Sequence, residues 1–346
     1  MTTTNFKYSV GPWNVHEGAD AFGPEVRSSI PVDAKLRKFK EIGFTGVQFH
    51  DDDAVPDIND LSEDAIKVRA RELKQELDGL GLEAEFVAPR LWLDDRTIDG
   101  GFTSNSAEDR EFAIWRAKRS IDIAKELGTD RLVLWLAREG TLCAESKDPV
   151  LGLQRLREAA NEILAYDPTI RILIEPKPNE PIDRSFVPTV GHVLGFAAGT
   201  NDPNRVGALL ESAHAVLAGL EPSLELGFCL SQGKLWGVHL NDQNGLRYDQ
   251  DKSFGVENLR SAFNQVKVLM DNGYGKNGEY VGLDVKAMRT QSIESSYAHL
   301  ENSLKMVRLM EAKVRKFNTE LVDRYRAARD YEAIEMYVME LLLGEQ

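Results

Sequence analysis

The sequence has little of what builds a secreted or membrane-embedded protein. Cys143 and Cys229 are the only cysteines in 346 residues, too few for a disulfide scaffold. The two can close one bridge, but two free thiols in a chain of this length point to the cytoplasm. No apolar run approaches the roughly 20 residues that a membrane span needs. The start, MTTTNFKYSVG, lacks a charged segment followed by an apolar one, so no signal peptide is visible. Clustered positive charge is missing too: 42 Lys and Arg face 56 Asp and Glu, a net charge of −14. Nucleic-acid binding gathers basic groups against phosphates, and this balance argues against it. Internal repeats, low-complexity tracts and long linkers are absent. With 42% apolar residues the chain is neither disordered nor fibrous, and its length fits two average domains or one large α/β barrel.

What is present alternates. Apolar strand-like runs at 7–11, 45–50, 83–88, 131–136, 170–175, 205–211, 236–241 and 280–284 each precede a stretch with helical periodicity. These helices are expected near 31–42, 62–80, 106–127, 150–166, 188–199, 222–231, 255–271 and 290–316. Period-2 runs alternating with period-3.6 runs imply a parallel sheet. Eight such units imply a closed (β/α)8 barrel, the α/β fold of a TIM barrel, over 1–316. Residues 317–346 are charged and helix-prone and end in the apolar cluster Leu341–Leu343. We expect them to form a helical arm that packs on a neighbouring subunit, the alternative being a terminus folded back on its own barrel.

Carboxylates and imidazoles stand where those strands end. Barrels of this kind carry their active sites at the C-terminal ends of the strands. Glu175, Glu211, His239 and Asp284 fall there on strands five to eight, positioned to converge on one cation. His214 lies one helical turn beyond Glu211, and Asp249 and Asp251 sit two apart, where an extended segment points both side chains to one side. With these three, Glu211 can bridge to a second ion. Oxygen-rich ligand sets suit Mg²⁺ or Mn²⁺, and the imidazoles shift the preference toward Mn²⁺ or Co²⁺. Any one of these carboxylates reads more readily as a helix cap or a solvated loop charge; the seven residues placed together point to bound cations.

A second cluster, FHDDD (49–53), closes strand two. His50 and Asp53 are spaced for the carboxylate to orient the imidazole, while Asp51 and Asp52 read as turn and cap residues. Lys177, held between Pro176 and Pro178, points with Glu175 into the same cavity and can polarise a substrate oxygen. Trp13, Trp92 and Trp135 sit near early strand ends, as pocket walls or as packing.

These residues resemble those of the short, actinobacterial-type xylose (glucose) isomerases, in the sugar-isomerase TIM-barrel superfamily. GPWNVHEGADAFG (11–23), FHDDD (49–53), DGGFTSN (99–105), LWLAREG (134–140), IEPKPNEP (174–181), PTVGH (188–192), LNDQNGLRYDQD (240–251) and LDVKAMRT (283–290) carry the similarity in order from about residue 7 to 315. The resemblance implies a metal-dependent aldose–ketose isomerase, of the D-xylose/D-xylulose or D-glucose/D-fructose type, acting by hydride shift with two divalent cations (Mn²⁺, Co²⁺ or Mg²⁺) per subunit. Glu175, Glu211 and Asp284 would hold the structural cation, and Glu211, His214, Asp249 and Asp251 the catalytic one. His50 with Asp53 would assist ring opening, and Lys177 would contact the carbonyl-end oxygen. Trp13 and Trp135 would line the pocket, and Phe22 would reach into a neighbour's site, implying a homodimer or homotetramer. The partner expected is a small sugar. This chain departs from the pattern at His239, where the family carries Asp. It departs again at Asp242 in place of Gly, Trp92 in place of Phe and Leu209 in place of Asn. The His recalibrates the comparison toward rhamnose isomerases, so the alternatives are another aldose such as L-rhamnose, or a single-metal sugar epimerase on the same barrel. A nuclease of this architecture and a non-enzymatic sugar-binding protein are more distant rivals.

Overall fold

The computed structural model describes residues 6–18, 23–246 and 248–344. Eight strands close a barrel: β1 (Lys7–Val10), β2 (Gly46–His50), β3 (Glu83–Ala88), β4 (Arg131–Trp135), β5 (Arg171–Glu175), β6 (Val206–Glu211), β7 (Leu235–Leu240) and β8 (Tyr280–Leu283). Neighbours pair in parallel in chain order, and β8 returns to β1. A two-stranded antiparallel ribbon joins 140–141 to 184–185 outside the barrel.

Eight helices follow as the periodicity predicts, and two short ones, the second and the seventh, are additional: α1 (Val32–Ile42), α2 (Asp51–Ala54), α3 (Glu63–Leu80), α4 (Ala107–Leu127), α5 (Pro149–Tyr166), α6 (Val190–Ala198), α7 (Ser212–Leu217), α8 (Pro222–Ser231), α9 (Leu259–Asp271) and α10 (Ala298–Arg315). Ser62 and Ser106 cap α3 and α4 by accepting from backbone N–H groups in the first turn, and Gly81 and Gly128 end them in the left-handed region. The short α2 and α7 follow β2 and β6 directly, so His50 and Glu211 become helix N-caps at the barrel mouth.

Most of the core lies between barrel and helices. A second, smaller cluster fills the barrel itself: Phe86, Ala88, Val133, Leu173, Leu209 and Trp236, with Trp13 packed against it. Leu209, where the resembled family carries Asn, belongs to this buried floor. Register sets the level of the site above it, because Trp135 pairs with Glu175 and Glu211 with His239. Gly282 leaves room for a crossing side chain; a Cβ there would stand 2.4 Å from Gln48 Nε2.

Beyond α10 the chain continues as α11 (Thr319–Ala328) and α12 (Tyr331–Leu343). Phe317 packs between Phe263 of α9 and Tyr337 of α12, at 6.1 and 5.5 Å between ring centres. Lys313 Nζ donates to the Leu341 carbonyl at 2.5 Å. Leu341 and Leu342 are buried in the chain's own core and Leu343 is 71% exposed. Within the chain these two helices pack against the barrel's own helices, with Leu343 left exposed. Among the described residues no helix is long and apolar enough to cross a membrane.

Candidate active site

A cavity of about 580 Å³ opens at the C-terminal ends of the strands. At its base Glu175, Glu211, His239 and Asp284 each offer a ligand atom, all within 4.8 Å of one another. His239 Nδ1 stands 2.8 Å from Glu175 Oε1, 3.7 Å from Asp284 Oδ2 and 3.8 Å from Glu211 Oε2. Glu211, His214 and Asp249 form a second such group. His214 Nε2 lies 3.3 Å from Glu211 Oε1 and 3.1 Å from Asp249 Oδ2. Lys177 Nζ donates to the same Asp249 oxygen at 2.9 Å.

Asp251 departs from expectation. Its backbone φ is 47°, so the segment is not extended there and the side chain parts from Asp249. Asp251 Oδ2 meets Lys286 Nζ, and Oδ1 accepts from Asn241 Nδ2 at 3.1 Å. Asn241 Nδ2 also donates to Glu211 Oε1 at 2.9 Å, which leaves Asp251 beside the second group rather than in it.

Glu175, Glu211 and Asp251 are buried here and Asp249 and Asp284 half-buried, so like charges crowd one end of the barrel. Burial raises Glu211 well above the usual carboxylate range, His214 pulling against it and Asp249 and Asp251 adding to it. Burial likewise pushes Asp251 up to about 8 despite Lys286, with Asp249 and Asp284 contributing. Asp249 goes the other way, because Lys177 and His214 outweigh its burial. Burial opposes a charged His239, yet Glu175, Glu211 and Asp284 raise its pKa well above the ordinary value. A proton on Nδ1 there does what a cation would do. Asp249 Oδ1 is buried with no hydrogen-bond partner among the described residues. Excess buried negative charge, an orphaned oxygen and an imidazole nitrogen aimed at three carboxylates together fit a divalent cation.

Gln48, whose role the sequence does not reveal, decides the tautomer. Its Nε2 donates to Glu85 Oε2 at 2.9 Å and to Ser9 Oγ at 3.2 Å, so its Oε1 faces His239 Nε2 at 3.2 Å. A carbonyl oxygen accepts only, hence His239 keeps its proton on Nε2 and can present an Nδ1 lone pair to an ion. The one signal in the sequence was a polar residue sharing the inward face with His50 in an otherwise apolar strand.

His50 Nδ1 lies 3.0 Å from Asp53 Oδ2 as the spacing suggested, but Arg90 Nη2 contacts both. Asp51 is not a turn residue. It is fully buried and accepts from Arg116 Nε at 2.6 Å, Arg116 Nη2 at 2.8 Å, Ser120 Oγ at 3.1 Å and the Arg90 backbone N–H at 3.0 Å. Asp52 pairs with Arg90 Nε at 3.1 Å and Arg116 Nη2 at 3.5 Å. Asp242 accepts from the backbone N–H groups of Gln243, Glu257 and Asn258.

Three tryptophans wall the cavity. Trp13 lies tilted at 36° against His50 with ring centres 4.2 Å apart and donates Nε1–H to Asp284 Oδ1 at 3.0 Å. Trp92 sets its edge on His50 and on Trp135, and Lys177 Nζ lies 5.3 Å above the Trp135 ring. Phe22 lies outside the described residues.

Residues 36–272 match the family described as xylose isomerase-like TIM barrel. Among solved structures the chain is similar to a D-tagatose 3-epimerase-like protein, with 17% identity, TM-score 0.65, 89% of this chain covered and 99% of that one. It is similar to an L-ribulose 3-epimerase at 16% identity and TM-score 0.66, covering 92% and 98%. A 3-keto-D-glucoside 4-epimerase from E. coli matches at 17% identity and TM-score 0.61, covering 88% and 100%. At these identities the likeness is one of fold.

Proposed function

The chain belongs to the xylose isomerase-like TIM barrel family, and from that premise we infer that it is a metal-dependent aldose–ketose isomerase of small sugars. The observation that carries this reading is Glu211 shared between two ligand groups, with Lys177 in contact with the second. Glu175, Glu211, His239 and Asp284 would hold one divalent ion, and Glu211, His214 and Asp249 a second, joined by Asp251 when Lys286 releases it. Such ions supply Lewis acidity for the oxyanion charge that develops when hydrogen moves between C1 and C2. Lys177 positions an ammonium to donate to a carbonyl-end oxygen. Trp13, Trp92 and Trp135 hold the C–H faces of the sugar and exclude water. Because His239 brings nitrogen in place of a carboxylate, Mn²⁺ or Co²⁺ should serve better than Mg²⁺. A homodimer or homotetramer belongs to the same reading.

A sugar epimerase is the second reading, favoured by one observation: the four-ligand group is complete by itself, whereas Asp251 is engaged by Lys286. Screening pentoses and hexoses with Mn²⁺, reading ketose against epimer, separates the two. Ketose formation supports isomerisation; a C3 or C4 epimer as the sole product overturns it.

A further inference from the structure

Arg90 puts a charged group into the pocket at a position whose chemistry neither the fold nor the metal ligands account for. It follows β3 and its side chain is 20% exposed. Asp51 holds its backbone N–H, Asp52 lies 3.1 Å from Nε, and Asp53 Oδ2 accepts from Nη2 at 2.9 Å. The guanidinium is therefore held by an ion pair with Asp52 and a hydrogen bond to Asp53. The same Nη2 also contacts His50 Nδ1, which is itself 3.0 Å from Asp53 Oδ2.

Either tautomer leaves one of these three contacts without a hydrogen bond of its own. The closest of them, Arg90 Nη2 to His50 Nδ1 at 2.5 Å against 3.0 Å for Nδ1 to Asp53 Oδ2, is the one that least tolerates two facing donors. Arginine donates and never accepts, and it keeps its charge at any pH a protein tolerates. A proton on His50 Nδ1 would put donor against donor at the Arg90 contact. A bare Nδ1 lets the two N–H bonds of Nη2 serve the imidazole and the carboxylate separately. We propose that Arg90 is a positioning residue that fixes His50 in the Nε2–H tautomer, so that His50 offers the sugar a hydrogen-bond donor and not a base. Nε2 meets no protein partner among the described residues, and His50 lines the cavity between Trp13 and Trp92.

The consequence changes the expected chemistry of the pocket. A His50–Asp53 pair acting alone would place the proton on Nδ1 and leave Nε2 free to take one from a hydroxyl. With Arg90 engaged the roles reverse: Asp53 and the Nδ1 lone pair are occupied, and Nε2–H can only donate to a ring or hydroxyl oxygen. What this does to turnover rests on the isomerase reading; the tautomer itself does not.

Long-range ¹H–¹⁵N spectra of the full chain, ¹⁵N-labelled at histidine and without added sugar, test the assignment. The chain has six histidines, few enough for His50→Gln to identify the signal. The expected result is a proton on Nε2 of His50 in the wild type and in Arg90→Lys, which keeps a donor, and on Nδ1 in Arg90→Met, where Asp53 is the remaining partner. An Nδ1–H signal for His50 in the wild type overturns the proposal whether or not the Arg90 variants fold. With D-xylose and Mn²⁺, His50→Gln keeps an N–H donor and should lose less than about tenfold in kcat/KM, whereas losing a general base costs roughly 10²–10⁴-fold. A loss in the larger range also overturns it. If no aldose turns over, the isomerase reading fails while the spectrum still decides the tautomer.

Discussion

Gln48 Oε1 faces His239 Nε2 at 3.2 Å across the barrel, and Glu85 holds the other end of the amide. The pair connects a strand-two residue that touches no proposed ion to a ligand on strand seven. It fixes which nitrogen His239 offers. Removing the amide by Gln48→Met should weaken Mn²⁺ binding by about 10–100-fold, the usual effect of losing a residue that orients a ligand. Titration calorimetry on the variant checks this, with circular dichroism as the control for folding. Unchanged affinity would show that the imidazole needs no such support.

The Lys286–Asp251 contact makes a prediction with opposite signs for its two members. Asp251→Ala should lose binding of a second Mn²⁺ and keep the first, since Asp251 is outside the four-ligand group. Lys286→Met removes an ammonium from the same place and should tighten the second ion by at least about tenfold. Stepwise metal titration reads both. A second binding step that neither substitution moves would remove Asp251 from the site.

Asp51 and Arg116 form an ion pair with both side chains nearly inaccessible. Breaking such a pair from one side leaves an uncompensated buried charge, so Asp51→Ala should cost about 3–5 kcal/mol. Urea denaturation at neutral pH gives the value. A loss below about 1 kcal/mol would match an ordinary surface change and contradict the geometry.

His299 provides a pH dependence away from the ligands. Burial lowers its pKa from 6.5 to about 4, its bond to the Asn14 carbonyl opposing and Arg27 assisting. The unfolded chain therefore binds a proton that the folded one refuses between these values. Its contribution is fully present above about 6.5 and is lost as pH falls toward 4, amounting to roughly 3 kcal/mol across that window. Comparing urea midpoints at pH 7 and 4.5 for the wild type and His299→Gln isolates it; the variant should lose less stability on acidification. Equal losses would place the titration elsewhere.

The barrel was legible because apolar strand-length runs alternate eight times with stretches of helical period. Glu175, Glu211, His239 and Asp284 come together because strand ends in a closed barrel have little choice of level. Residues whose partners depend on long-range register were not legible. Gln48 meets His239 across 191 positions and Arg90 meets His50 across 40. Asp51 and Asp52 look like turn residues until Arg90 and Arg116 arrive from other elements. Asp251 was misplaced by one backbone angle, since spacing of two means a shared direction only in an extended chain.

Counting Mn²⁺ per chain while following D-xylose and a panel of other aldoses for ketose tests the central claim most directly. The account expects two ions per folded chain and a ketose from at least one aldose, with Glu211→Gln losing both. A protein that binds no divalent ion, or binds one and yields only an epimer, would contradict it.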